Sequence, residues 1–175
     1  MATVAPVSAP AIRPAGPVSS RNSSSRAENN VSSLQFREAT LQDEAALIPM
    51  MRSLAEHEPD ALPFDESAVR MAFRQFLSLD SFGRVWLLYT GPAPVGYIIL
   101  TIGFSFEFHG HDAFIDELYI APAHRRRGYG RQAIAFIEQK AREMGVNAVH
   151  LEVDHGNDSA LDSTAAPAKW ITTAS

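Results

Sequence analysis

The chain has 175 residues, 46% of them apolar and 20% charged, which suits one domain with a buried core and excludes a wholly disordered polar polymer. It contains no cysteine, which excludes disulfides, thiolate metal sites and a cysteine nucleophile. The formal net charge is −5, and the first 33 residues carry three arginines against one glutamate, so the remainder holds −7, the opposite of what a nucleic-acid-binding surface needs.

Residues 1–33 are rich in Ala, Pro, Ser and Asn, and burial of so little apolar surface cannot offset the entropy of ordering them. They read as a disordered tail. The same Ser-rich, basic stretch without an apolar core fits an organelle transit peptide, the alternative to a cytoplasmic location. A folded domain is expected over 34–162, followed by an atypical tail over 163–175.

Leu34 to Glu38 reads as a short strand. Thr40 and Asp43 form a capping pair for a helix with Leu47, Ile48, Met51, Leu54 and Ala55 on one face, bent at Pro49. Asp65 caps a second helix with Val69, Phe73, Phe76 and Leu77 at helical spacing, a core stripe rather than an aromatic ligand box. Arg84 to Thr90 and Val95 to Phe104 flank Gly91-Pro92-Ala93-Pro94 and predict an antiparallel hairpin. Gly96, Thr101 and Gly103 interrupt the second run, which falls well short of the roughly 18 apolar residues of a membrane-crossing helix.

A loop from Ser105 to Asp112 leads to a strand, Ala113 to Ile120. Its apolar positions Ile115, Leu118 and Ile120 are spaced three and then two, so all three share one face only if an extra residue is inserted, a β-bulge near Asp116 and Glu117. Ala121-Pro122 ends the strand. A helix follows from about Gly128 to Met144 with Ala133, Ile134, Ile137, Ala141 and Met144 inward, and Gly145 stops it. Val149, Leu151 and Val153 alternate with His150 and Glu152 as one more strand. Strand, loop, helix, strand is a βαβ crossover, so the fold class is α/β (α+β): a mixed, mostly antiparallel central sheet with flanking helices and one parallel crossover.

Arg125-Arg126-Arg127-Gly128-Tyr129-Gly130-Arg131 lies where that strand gives way to the helix. Glycines let backbone approach a ligand closely, and first-turn N–H groups with the helix dipole favour an anion, so the segment reads as a phosphate cradle. The alternative is a solvated basic loop. No Lys-Ser or Lys-Thr follows the glycines, and the G-x-G-x-x-G spacing is missing, which excludes the mononucleotide and dinucleotide loops.

Phe114-Ile115-Asp116-Glu117-Leu118-Tyr119-Ile120-Ala121-Pro122, then Arg125-x-x-Gly128-x-Gly130, then Leu151-Glu152-Val153 and Asn157 resemble the GNAT superfamily of N-acetyltransferases. The matching parts are its bulged strand, pyrophosphate loop and following strand, and the resemblance spans about Leu34 to Leu161. It implies acetyl-CoA as co-substrate, no metal, and acetyl transfer to a primary amine of a small molecule or protein by direct attack in a ternary complex. By the same resemblance, backbone groups of Leu118, Tyr119 and Ile120 meet the pantetheine arm and the acetyl carbonyl. Amides of Arg125, Arg126, Arg127, Gly128, Tyr129, Gly130 and Arg131 hold the pyrophosphate, and Asn157 contacts the coenzyme near its reactive end.

Glu117 is the candidate general base, with burial and the neighbouring Asp116 carboxylate as the means of making it basic enough; the alternative is a solvated strand residue. Tyr119 and Glu152 are candidate substrate contacts or ordinary sheet residues. Glu107, His109 and His111, with Asp116, are expected to line an acidic acceptor pocket suited to a cationic amine. His109, His111 and Asp112 specify no further ligand, so no metal is expected.

The C-terminus departs from the family pattern. After Ala160-Leu161 come no tyrosine to protonate the leaving thiolate, no Gly-Phe pair and too few residues for two closing strands, while Pro167 limits any helix. The closing strands are therefore expected to be missing, with an exposed edge beside the strand ending at Val153 that favours a homodimer. A catalytically impaired coenzyme-binding domain acting as a sensor or interaction module is the alternative function. A nucleic-acid module using the triple arginine is opposed by the −7 charge, and no membrane partner is expected.

Overall fold

Alternation along two strands, β2 (Gly83–Tyr89) and β3 (Pro94–Ser105), sends Val85, Leu87, Tyr97 and Ile99 to one core and Trp86, Leu88, Ile98 and Leu100 to another, all buried. Helices cover both faces, which is why these strands read as nearly unbroken apolar runs. The structure is a computed structural model that describes residues 34–57, 63–153 and 170–174. The readings made for residues 1–33, for Asn157 and for most of 163–175 lie outside the described residues.

Among the described residues the sheet has six strands in chain order: β1 (Gln35–Glu38), β2, β3, β4 (Gly110–Ile120), β5 (Ala148–Val153) and β6 (Trp170–Ala174). The pairings from β1 to β4 are antiparallel, and β4 with β5 is parallel across the crossover helix, as expected. Helices α1 (Glu44–Ala55) and α2 (Glu66–Phe76) pack on the Tyr97 face, and α3 (Tyr129–Glu143) packs on the Ile98 face. Leu47, Leu87, Leu100 and Ile137 are fully buried, and truncating one such side chain to Ala costs about 2–5 kcal/mol.

Asp65 caps α2 as its position suggests, Oδ1 accepting from the amides of Ser67 at 2.9 Å and Ala68 at 3.2 Å. Thr40 and Asp43 form the expected capping pair, but the turn it opens is 3-10 (Leu41–Asp43) and α1 begins after it; the Thr40 amide donates to Asp43 Oδ2 at 2.8 Å. The helix runs through Pro49. Ion pairs of Glu44 with Arg70 and Arg74, and of Glu66 with Arg52, staple α1 to α2, and Glu66 also pairs with Arg70 along α2.

Two expectations are corrected. The loop over Ser105 to Asp112 is shorter, because the β3–β4 ladder continues to Ser105 opposite Gly110 and leaves only a tight tip over 106–109. The edge beside Val153 is not open: β6 runs parallel to β5, Val149 opposite Trp170 through Val153 opposite Ala174. No closing antiparallel pair forms among the described residues, so the sheet stays unclosed and its edge moves to β6. Among the described residues no helix is long and apolar enough to cross a membrane.

Candidate active site

In the β3–β4 ladder Ile99 lies opposite Glu117 and Leu100 opposite Ile115, so Asp116 is the inserted residue of a β-bulge. The insertion keeps Ile115, Leu118 and Ile120 in the core beneath α3 and turns Glu117 and Tyr119 toward α1 and α2. Glu117 is half-buried, while Asp116 is exposed, so the expected burial falls on Glu117 alone. The Tyr97 hydroxyl donates to Glu117 Oε2 at 2.6 Å. Tyr97 is fully buried and its ring stacks on Tyr119 with centroids 5.8 Å apart. Tyr97 was not singled out from sequence, although a phenol in an apolar strand must find a partner for its hydroxyl and the hairpin register sets it opposite Tyr119.

Glu117 and Asp116 line a half-open cavity of about 570 Å³ between α1, α2 and the sheet. Its walls are mainly apolar, with Leu54, Phe64, Val69 and Phe73 among them. Tyr119, expected as a possible substrate contact, points its side chain into the core, so only its backbone is available to a ligand.

β4 and β5 pair only from Asp112 opposite Ala148 to Phe114 opposite His150. Beyond that point β5 continues with β6, and among the described residues no strand pairs with the β5-facing side of 115–120. A bulge bends its strand and increases local twist, which accounts for the parting just there. Peptide groups of Leu118 to Ile120 therefore border a cleft rather than a ladder.

The basic segment closes one end of this cleft. A 3-10 turn (Pro122–His124) ends at Arg125, whose Nε donates to the Ile120 carbonyl at 2.8 Å and whose guanidinium lies 5.9 Å from the Tyr119 ring centre. Arg125 thus ties the loop to the strand end. Arg126 (φ 59) and Gly128 (φ 76) both take the left-handed conformation that turns the chain into α3. Gly128, the residue preceding the helix, offers no side chain to cap it, so the first-turn amides of Tyr129, Gly130 and Arg131 have no intrahelical acceptor. The Tyr129 ring is buried and anchors the helix start, while Arg126, Arg127 and Arg131 are exposed around it. A Cβ at Gly130 would meet only Ile120 Cδ1 at 3.9 Å, so the glycine faces the strand end across near-empty space. Uncapped amides, helix dipole and surrounding guanidinium groups together concentrate positive charge and open hydrogen-bond donors at the start of α3.

Glu107, His109 and His111 are not brought to the cavity. Glu107 and His109 sit in the hairpin tip, His109 with φ 56, and His111 lies within β4 with Nδ1 donating to the Gly103 carbonyl at 3.1 Å. Six residues of strand, roughly 20 Å at about 3.3 Å each, separate His111 from Glu117. Asp112 instead faces His150, Oδ2 to Nε2 3.3 Å. Among the described residues no three His, Cys, Asp or Glu side chains converge to hold a metal. Glu152 is placed only by its backbone, opposite Thr173.

Residues 48–163 match the acetyltransferase (GNAT) family. The chain is 25% identical over 144 residues to a thialysine N-epsilon-acetyltransferase of Bos taurus, an alignment that covers 74% of this chain and 79% of that protein. Among solved structures it is similar to an integron cassette protein from the mobile metagenome of Cole Harbour Salt Marsh, with 33% identity, a TM-score of 0.64 and coverage of 72% of this chain and 81% of that one. It also shares its fold with a predicted acetyltransferase from Clostridium acetobutylicum solved with acetyl-CoA, at 13% identity, a TM-score of 0.65 and coverage of 77% and 90%. With the family match spanning most of the chain and the bulged strand, parted sheet and glycine-arginine loop in one place, the chain belongs to the acetyltransferase (GNAT) family.

Proposed function

We propose that the protein is an N-acetyltransferase that moves the acetyl group of acetyl-CoA to a primary amine by direct attack in a ternary complex. The observation that carries this reading is the position of Glu117, which faces the cavity at the bulge, next to the uncovered edge of β4. The bovine relative is named for acetyl transfer to the N-epsilon position of thialysine, which supports an amine acceptor.

The residues present fit the family's co-substrate. The uncapped amides of Tyr129, Gly130 and Arg131, with the exposed Arg126, Arg127 and Arg131, suit a pyrophosphate, and the edge of 118–120, which meets no partner strand among the described residues, suits an amide-bearing pantetheine arm. When bound, acetyl-CoA supplies the acetyl group as a thioester, a C–N bond forming at its carbonyl carbon as the C–S bond breaks. Glu117 accepts the proton that the amine nitrogen sheds, directly or through one water. Tyr97 holds the Glu117 carboxylate in one orientation. Peptide N–H groups along 118–120 supply donors where negative charge develops on the acetyl oxygen.

The reading is tested by calorimetric binding of acetyl-CoA together with thiol release across a panel of amines, for wild type and Glu117→Gln. Removing a general base lowers turnover by about 10²–10⁴-fold and leaves coenzyme affinity unchanged. Binding without thiol release for any amine would mark a coenzyme-binding domain without turnover.

A further inference from the structure

We infer that the acceptor is a primary amine on an apolar body with no anionic group, an alkylamine or aryl-alkylamine, seated between α1 and α2 with its nitrogen at Glu117. This narrows the acetyltransferase reading above and rests on it.

The cavity walls decide the class. Met51, Leu54, Phe64, Val69, Phe73 and Phe76 enclose most of the space. Among the described residues its charged lining groups are Asp65, Asp116 and Glu117. Asp65 stands alone at the start of α2, its Oδ1 accepting from the Ser67 and Ala68 amides, whereas Asp116 and Glu117 lie side by side at the bulge, so the negative charge of the lining is greatest at that end. An ammonium group is drawn to that end, and the remainder of the molecule must lie against hydrocarbon.

No Lys, Arg or His lines the cavity among the described residues. The nearby arginines are engaged elsewhere: Arg52 pairs with Glu66 and covers the Phe64 ring at 4.9 Å, Arg70 pairs with Glu44 and Glu66, and Arg74 pairs with Glu44. A carboxylate or phosphate on the acceptor would therefore be desolvated without a counter-charge. A zwitterionic amino acid is disfavoured on that ground. A polyhydroxylated amine fares no better, since among the described residues Thr101 is the sole uncharged polar side chain in the lining and its Oγ1 donates to the Phe114 carbonyl at 3.3 Å. The second and third ammonium groups of a polyamine would lie against the apolar wall.

The test measures kcat/KM by thiol release with acetyl-CoA for hexylamine, 2-phenylethylamine, lysine, spermidine and an aminoglycoside. In parallel, calorimetry follows 2-phenylethylamine binding to wild type and to Ala72→Lys. Ala72 lines the cavity yet is exposed on α2, so this substitution adds a cation to the wall without disturbing the core. The expected result is a kcat/KM for the two apolar amines about tenfold or more above the other three, and an affinity for 2-phenylethylamine weakened about tenfold in Ala72→Lys with acetyl-CoA binding unchanged. Preference for lysine, spermidine or the aminoglycoside would overturn the acceptor class and leave the acetyltransferase reading standing. Absence of 2-phenylethylamine binding, or binding indifferent to Ala72→Lys, would overturn it as well. Binding that Ala72→Lys weakens, with no turnover of any amine, would support the cavity's ligand class and remove the acetyltransferase reading instead.

Discussion

The hydroxyl of Tyr97 donates to Oε2 of Glu117 across 2.6 Å, joining a fully buried residue of β3 to the half-buried carboxylate at the bulge of β4. The bond reaches Glu117 from within the core and fixes which way its carboxylate faces the cavity. Tyr97 is in this sense a positioning residue.

Tyr97→Phe keeps the ring stacked on Tyr119 and removes only the donor. A hydrogen bond to a charged group contributes about 1.5–3 kcal/mol, so kcat is expected to fall roughly ten- to hundredfold while the KM for acetyl-CoA stays put. A change confined to KM would assign the hydroxyl to binding rather than to the orientation of Glu117.

Gly130→Ala separates ligand contact from folding. The added methyl meets only Ile120 Cδ1 at 3.9 Å, and Ala is favoured over Gly in a helix by about 1 kcal/mol, so the melting temperature should hold or rise. Coenzyme A affinity, measured by calorimetry, should fall because backbone can no longer approach the pyrophosphate as closely. Unchanged affinity would remove Gly130 from the coenzyme site.

Gly128→Val differs in kind. Its φ of 76 is a conformation that a β-branched residue adopts only at about 1–2 kcal/mol of strain. Both the melting temperature and the thermal stabilisation conferred by coenzyme A are expected to drop. Retention of both would show that the loop tolerates another route into α3.

Asp43 carries the clearest pH signature. The Arg37 guanidinium, bonded at 2.6 Å and 3.0 Å, holds its carboxyl at about 2 against an ordinary 3.8, with help from the Thr40 amide. The folded value is lower than the unfolded one, so the stabilisation is complete above 3.8 and is lost as pH falls from there through about 2. The gap in melting temperature between wild type and Asp43→Asn should be widest near neutrality and should close toward pH 2. Added salt should narrow it too, since the Arg37 side chain is 49% exposed. A gap independent of pH would assign the effect of the substitution to something other than charge.

Much of the scaffold was legible because short-range rules govern it. The interval between Ile115, Leu118 and Ile120 encodes the bulge, since a strand with period two cannot otherwise keep three apolar side chains on one face. Asp65 announces α2 through its own hydrogen bonds to the first-turn amides. The reach of β4 back to Gly110 was not legible, because pairing with β3 extends it through Asp112 and His111, whose polar side chains look like loop. The same extension takes His111 away from the cavity. β6 was not legible because Trp170-Ile171-Thr172-Thr173-Ala174 is too short and too weakly patterned to read as a strand, and its parallel pairing with β5 is what makes it one.

The sequence by itself determined the family, the crossover, the glycine-arginine loop before α3 and Glu117 as the carboxylate at the bulge, all set by residues within a few positions of one another. Only the tertiary structure decided that Tyr97 reaches Glu117, that Arg125 is tied to the Ile120 carbonyl, and that apolar walls from α1 and α2 enclose the space in front of Glu117. The Tyr97–Glu117 bond and the walls around Glu117 join segments far apart along the chain, and the Arg125–Ile120 bond depends on the turn that folds the loop back on the strand end. Sheet register and helix packing settle such distances, and one-dimensional spacing carries no direct record of them.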